Sequence, residues 1–497
     1  MKAETLNRQI GNATKWSSVT EIVAKLVSPI TNMVLARLLT PEMFGVVATV
    51  NIIISFTDMF TDAGFQKYLI QHEFTDENDR KDSTTVAFWT NLLISIMLWI
   101  LIIIFRDQLS SLVGNPGKGL VLAIACAALP MTSFSSIQMA LYKRDFDFKT
   151  LFYARIVGIL IPLLVTVPLA VVLRNYWALI FGELAKQLAN AIILTVRSSW
   201  KPRLYYSIGK LKEMFAFSMW TLFEQISIWL TNYIGTFIVG VYLSSYYVGL
   251  YKTSMTTVNQ FTTLITASIT PVLFATLSRV QRDKEQFSKY FFSFQKAMSI
   301  LIVPMSVGIF IYKELITRIL LGSQWMEASM FIGLWGITSC LGILLNNFSS
   351  EAYRALGKPK LSLLAQVIHL LFLVPALLWA APQGFVPLYW VRSLIRFQMY
   401  ITQMIIMYVF IGISFGQMVK NIYPSIVSSL IMGLCGVWLQ TISTSVIWQL
   451  MSIVLCILVY AISIIAFPST REVLLNLANR VPAVSRIIGV VFIKKDK

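Results

Sequence analysis

The chain has 497 residues, 57% hydrophobic and only 13% charged, with a mean hydropathy of +0.71. Soluble domains carry about 25% charged residues, so a soluble enzyme, a disordered chain and a secreted disulfide scaffold are excluded. An all-α polytopic membrane protein remains, and its net charge of +18, from 41 Lys and Arg against 23 Asp and Glu, reads as loop charge rather than nucleic-acid binding.

Residues 1–15 are polar and the first apolar segment is itself charged, so no cleavable signal peptide is expected. A spanning helix needs about 20 mostly apolar residues. About fourteen segments qualify: 16–38, 43–64, 84–105, 119–142, 150–173, 176–196, 214–242, 247–272, 294–311, 329–353, 361–379, 388–410, 422–440 and 446–467. Open backbone hydrogen bonds are too costly in lipid for irregular structure, and the apolar runs do not alternate, so all are expected to be helices.

The first span carries Ser17, Glu21, Lys25, Ser28 and Asn32 on one face. A mid-membrane charge costs at least about 2.5 kcal/mol, so this face is expected to line a cavity. Glu21 and Lys25, four residues apart, can also neutralise each other, and Pro29 is expected to kink the helix. Asp58 and Asp62, near the end of the second span, are ion-coupling carboxylates or, on the favoured reading, capping or interfacial residues. Arg155 stands alone in the fifth span, and Glu183, Lys186, Gln187 and Asn190 share one face of the sixth.

The segment 197–213 interleaves Lys201, Arg203, Lys210 and Lys212 with Trp200, Tyr205 and Tyr206, which between spans suits a headgroup-facing linker. Glu224 and Gln225 lie in the seventh span, and His369 in the eleventh reads as a packed polar residue. The twelfth span holds Arg392 and Arg396 one turn apart with no acidic residue of its own. Two stacked guanidinium forks suit a diphosphate or an acidic sugar. The alternatives are neutralisation by Glu351 or another distant carboxylate, and snorkelling to an interface. Cys126, Cys340, Cys435 and Cys456 lie in apolar runs without pairing or metal spacing, and residues 468–497 suit a basic, surface-lying amphipathic helix.

With the N-terminus in the cytoplasm, loop Lys and Arg divide 28 inside to 5 outside. That imbalance places both termini in the cytoplasm. An offset of 204 aligns 16–49 with 220–253, matching Leu39 with Leu243, Gly45 with Gly249 and Thr49 with Thr253. A fainter register, offset by 215, relates Ala140, Leu141 and Lys143 to Ala355, Leu356 and Lys358. Six spans separate the copies, so they run in the same direction, a parallel repeat of the kind found in transporters. The expected organisation is a six-helix bundle (1–196), a basic cytoplasmic linker (197–213), a second six-helix bundle (214–411), two additional spans (412–467) and a basic tail (468–497).

The stretch Ala36-Arg37-Leu38-Leu39-Thr40-Pro41-Glu42-Met43-Phe44-Gly45 resembles the first-hairpin signature of bacterial polysaccharide exporters. Phe56-Thr57-Asp58-Met59-Phe60-Thr61-Asp62-Ala63-Gly64-Phe65 and Tyr353-Arg354-Ala355-Leu356-Gly357-Lys358-Pro359-Lys360 are similar to further motifs of that family. These are the lipid-linked oligosaccharide flippases of the multidrug/oligosaccharidyl-lipid/polysaccharide exporter superfamily, in the colanic-acid and teichuronic-acid branch. The resemblance implies translocation of undecaprenyl-diphosphate-linked repeat units across the bacterial inner membrane for exopolysaccharide, O-antigen or capsule. It implies a non-enzymatic protein whose partners are the lipid-linked substrate, membrane lipids and polysaccharide polymerase machinery.

Substrate-cavity candidates are Arg392, Arg396, Lys25, Arg155, Lys186, Glu21, Asn32 and Gln225, and ion-coupling candidates are Glu224, Glu21 and Glu183. No phosphate loop, HExxH or Cys/His metal set occurs, so no cofactor or metal is expected and energy must come from an ion gradient or product consumption. A multidrug exporter of the same superfamily is the nearest rival, although intramembrane cations dominate here. A membrane glycosyltransferase or polymerase would call for a large outside loop with catalytic residues, and the outside loops are short.

Overall fold

The computed structural model describes residues 27–62, 65–145 and 147–479, and these divide between two compact units. The first comprises Met1–Thr253, Leu320–Trp325 and Leu377–Pro387; the second comprises Ser254–Ile319, Met326–Ala376 and Leu388–Lys497. Helix is the regular structure throughout, with no strand among the described residues.

The first unit runs through α1 (27–38), α2 (Pro41–Asp62), α3 (Phe65–Gln71), α4 (Glu77–Ile104) and α5 (Arg106–Leu112). It continues with α6 (Gly119–Ala125), α7 (Ala128–Arg144), α8 (Phe148–Ile161), α9 (Val167–Leu173), α10 (Trp177–Arg197), α11 (Ile208–Tyr242) and the start of α12 (Ser245–Arg279). Local chemistry sets several ends. The Asp76 carboxylate accepts from the Asp79 N–H at 2.7 Å and opens α4; Asp147 accepts from the Thr150 N–H at 3.1 Å and opens α8. Pro162 lacks a donor, and the chain passes through a π turn, Pro162–Thr166, between α8 and α9. Arg174, at φ 48°, supplies the left-handed residue that ends α9. Helix α11 packs on α2, where the Trp229 indole donates to Ser55 Oγ at 3.0 Å and its ring lies 4.9 Å from Phe56.

The second unit holds the rest of α12, α13 (Lys284–Ile311), most of α14 (Lys313–Leu320), α15 (Ser329–Gly342), α16 (Phe348–Ala355), most of α17 (Lys360–Ala380) and of α18 (Phe385–Ile411), α19 (Phe415–Ile442), α20 (Val446–Ile465) and α21 (Pro468–Asn479). Its C-terminal part is closed by small residues. Ser299 of α13 meets Ser425 of α19 at 2.8 Å, both fully buried, and Ser428 of α19 accepts from Ser463 of α20 at 3.1 Å. Further along, Gly433 and Gly436 face Val307 and Ile311. The Tyr312 hydroxyl then reaches Ser452 Oγ of α20 at 2.8 Å, and Tyr460 donates to the Ile300 carbonyl at 2.7 Å.

Among the described residues 11 helical segments are long and apolar enough to cross a membrane, or 12 when the bent pair Ser245–Ala267 and Ile269–Arg279 is one span. Large apolar side chains face outward, among them Val172 at 79% exposure and Ile462 at 74%, as a lipid-facing surface requires. The chain is therefore a multi-pass membrane protein. Two of the expected spans touch residues outside that count: 16–38 begins before residue 27, and 214–242 lies in α11, whose side chains at 216–225 are outside the described residues.

Candidate functional site

A cavity of about 670 Å³ opens in the first unit. Helix α1 contributes Ser28, Thr31 and Asn32; α7 contributes Met139 and Lys143. Helix α8 lines it from Phe148 to Ile159, Arg155 included, and Pro162 of the π turn closes that side. From α10 come Lys186, Asn190 and Leu194. The wall is mostly apolar, with cations and amides set into it, which is the composition expected of a small-molecule cavity.

The spacing of α10 produces its polar face. Glu183, Lys186, Gln187 and Asn190 follow at three, four and seven residues, so they stand in one column. Lys186 Nζ donates to both Glu183 oxygens at 2.9 and 2.8 Å, and Gln187 Nε2 donates to one of them at 2.7 Å. Glu183 therefore neutralises Lys186, while Arg155 and Lys143 add two further positive charges at the lining.

A second polar cluster lies in the second unit. Arg392 and Arg396 of α18 place their guanidinium carbons 4.7 and 4.2 Å from the centre of the Trp335 ring of α15. Arg396 Nη1 also donates to Ser339 Oγ at 2.6 Å, and the Tyr400 hydroxyl donates to the Thr338 carbonyl. Arg392 is 7% exposed. An indole face attracts a guanidinium through its quadrupole, by about 2 kcal/mol or more when water is excluded. Glu351, the alternative neutralising group, instead pairs with Arg354 at 3.1 Å.

Of the candidates read from the sequence, Asn32, Arg155 and Lys186 meet at the cavity, with Glu183 bonded to Lys186 beside it. Arg392 and Arg396 belong to the Trp335 cluster. Glu21 and Lys25 lie outside the described residues, as do the side chains of Glu224 and Gln225 on α11. Two residues escaped the sequence reading. Lys143 was counted with the cytoplasmic loop, because α7 extends past the apolar run that marked its span. Trp335 was one more aromatic in an apolar segment; the signal for it was the arginine pair itself, which lacks a carboxylate in its own span and so calls for π faces.

The linker is only partly a headgroup-facing segment. Leu204 is 97% exposed, yet Trp200 is buried against Phe88, the rings 5.6 Å apart. Trp89 Nε1 donates to the Arg203 carbonyl at 2.7 Å, Tyr206 meets Thr90 at 3.1 Å, and Lys210 pairs with Asp79. Tyr68 donates to Glu213 at 3.0 Å. Burial pushes the Tyr68 phenol well above its ordinary pKa, and Glu213 adds to the shift, so this group remains a donor at neutral pH.

Residues 34–330 match the family described as polysaccharide biosynthesis protein. The chain belongs to that family. A Klebsiella pneumoniae relative, an uncharacterized membrane protein in the cps region, is 24% identical over 372 residues, covering 73% of this chain and 75% of that protein. The succinoglycan biosynthesis transport protein ExoT of Rhizobium meliloti is 24% identical over 69% of this chain and 68% of its own length. The fold is similar to that of the lipid II flippase MurJ in an inward closed conformation, with a TM-score of 0.73 at 14% identity over 90% of this chain and 98% of the other. The chain is thus a multi-pass membrane member of the polysaccharide biosynthesis family whose fold is similar to that of a flippase.

Proposed function

We propose that the chain is a flippase that moves undecaprenyl-diphosphate-linked oligosaccharide repeat units across the bacterial cytoplasmic membrane. The product would feed exopolysaccharide, O-antigen or capsule assembly, next to the polymerase machinery. Two six-helix bundles, with two additional spans to make fourteen, would rock about the central substrate path.

The cavity carries this reading. A lipid diphosphate brings two or more negative charges, and Lys143, Arg155 and Lys186 line the same hollow, with Glu183 bonded to Lys186. Hydrogen bonds to charged partners contribute about 1.5–3 kcal/mol each where water is scarce. Asn32 and Asn190 supply amides for sugar hydroxyls, and the apolar wall suits a lipid-attached cargo. The same charge works against cationic drugs, which disfavours the multidrug alternative. Glu183, bonded to Lys186, is the ion-coupling candidate that could sense substrate directly.

The test is movement of an undecaprenyl-diphosphate oligosaccharide in proteoliposomes. Arg155→Gln with Lys143→Gln spares the Lys186–Glu183 pair and should lower the rate at least about tenfold, through two lost charge-assisted bonds. A double variant that inserts normally and transports at the parent rate would exclude this cavity as the anion site.

Orientation gives a separate expectation. Cysteines placed by Glu73→Cys and Glu285→Cys, both exposed, should react with an impermeant thiol reagent only after the cells are opened. Labelling of either from outside intact cells would reverse the proposed topology.

A further inference from the structure

The register offset by 204 pairs Pro41 with Ser245, Gly45 with Gly249 and Thr49 with Thr253. In the first unit these register mates lie against one another. A Cβ on Gly45 would overlap the Ser245 carbonyl oxygen and come within 2.9 Å of the Gly249 nitrogen. A Cβ on Gly249 would overlap the Pro41 carbonyl oxygen and come within 3.1 Å of the Gly45 nitrogen. Each residue meets the mate of the other's partner, which is the signature of a twofold axis through the contact. The axis of the internal repeat therefore passes between Gly45 and Gly249, where α2 crosses α12.

That crossing is backbone on backbone. At the two glycines the helices meet without side chains between them, a contact held by dispersion. The polar tie comes from elsewhere. Asn115, in the turn after α5, is 3% exposed; its Nδ2 donates to Thr49 Oγ1 of α2, and its Oδ1 accepts from Ser245 Oγ of α12. Its own backbone is pinned, the N–H donating to the Ser110 carbonyl at 2.8 Å and the carbonyl accepting from the Lys118 N–H at 3.2 Å. The amide is supplied once: Ile319 stands at the position one offset of 204 later, and Met330 at the offset of 215.

We propose that Asn115 is a latch that holds α2 to α12 across the repeat axis, and that breaking its bond to Ser245 is what lets the outer end of the transport path open. This rests on the flippase reading and on the orientation that puts residues 106–118 outside. If α2 and α12 part, Asn115 stays with Thr49 in its own half of the repeat, and the Ser245 hydroxyl is the bond lost.

The experiment uses the full chain in lipid nanodiscs, with spin labels on Glu42→Cys and Ser244→Cys, both exposed, and no substrate added. The parent should give one short label distance. Asn115→Ala and Ser245→Ala should each raise the ratio of separated to closed forms by roughly tenfold, the effect of one net hydrogen bond. Ser245→Thr keeps the hydroxyl and should stay closed, a rescue that a loss of general packing would not give. Unchanged distances in both alanine variants would overturn the latch, whatever happens to export; Ser245→Ala leaves the loop intact if Asn115→Ala does not fold. A parent that fails to move lipid-linked oligosaccharide would instead count against the flippase reading, and the distances are measured without that assay.

Discussion

Replacing Arg392 and Arg396 together with Gln is expected to abolish export while leaving the protein in the membrane. Both guanidiniums stack on Trp335, and Arg396 is tied to Ser339, so the two forks are held in fixed orientation without a carboxylate in their own span. Gln keeps a polar amide with two donors but is shorter, and it removes two positive charges that an oxyanion would seek. Lys at both positions should rescue only in part, because a point charge neither stacks on the indole as a plane nor binds two oxygens side by side. Trp335→Leu should reproduce much of the loss with both arginines present, since it removes the face that orients them. The rate of lipid-linked oligosaccharide export, normalised to inserted protein, decides the matter; parent-like export by the double Gln variant would remove these arginines from the transport path.

Gly114→Ala should be among the most damaging single substitutions to stability. Gly114 sits at φ +82°, and a Cβ there would overlap the Gly240 carbonyl oxygen of α11. The left-handed backbone alone costs a non-glycine residue about 1–2 kcal/mol. The overlap adds more, because the obstacle is backbone and cannot rotate away, so the Asn115 turn must lift off α11. Gly117 is the control. It has nearly the same backbone, φ +78°, with nothing within 4 Å of a Cβ. Gly117→Ala should therefore pay the dihedral cost alone. Thermal unfolding in detergent, followed by size exclusion, should place Gly114→Ala well below Gly117→Ala; equal melting temperatures would remove the contact with α11 from the account.

Much of this was legible from spacing. Apolar length located the helices, because lipid leaves the backbone no other way to close its hydrogen bonds. The column of Glu183, Lys186, Gln187 and Asn190 was visible as a period, and two of its members, Lys186 and Asn190, line the cavity. The register of Gly45 with Gly249 was visible as an offset, and the two glycines lie close together. What periodicity does not carry is which faces meet. Trp335 and the arginines lie 57 and 61 residues apart, and nothing in either span encodes that they stack. Trp200 looked like a headgroup residue by composition, yet Phe88 offered it a buried ring. The break between α6 and α7 at Cys126 and Ala127 also fell inside one apolar run; Pro130, which has no N–H to give the Cys126 carbonyl, is the mark that the run conceals.

The seam between α13 and α19 has a consequence for the choice of lipid. Burying apolar surface drives nothing in a medium of acyl chains, so this seam must hold by close approach at Gly433 and Gly436 and by the short Ser299–Ser425 hydrogen bond. Contacts of that kind compete directly with whatever chains can slide between the helices. Thin, flexible chains fit such a groove better than stiff ones, and harsh detergents fit it best of all. On solubilisation the C-terminal pair, α19 and α20, should thus come loose while the helices behind it are still packed. For this part of the chain the bilayer is a rival binding partner as well as the solvent.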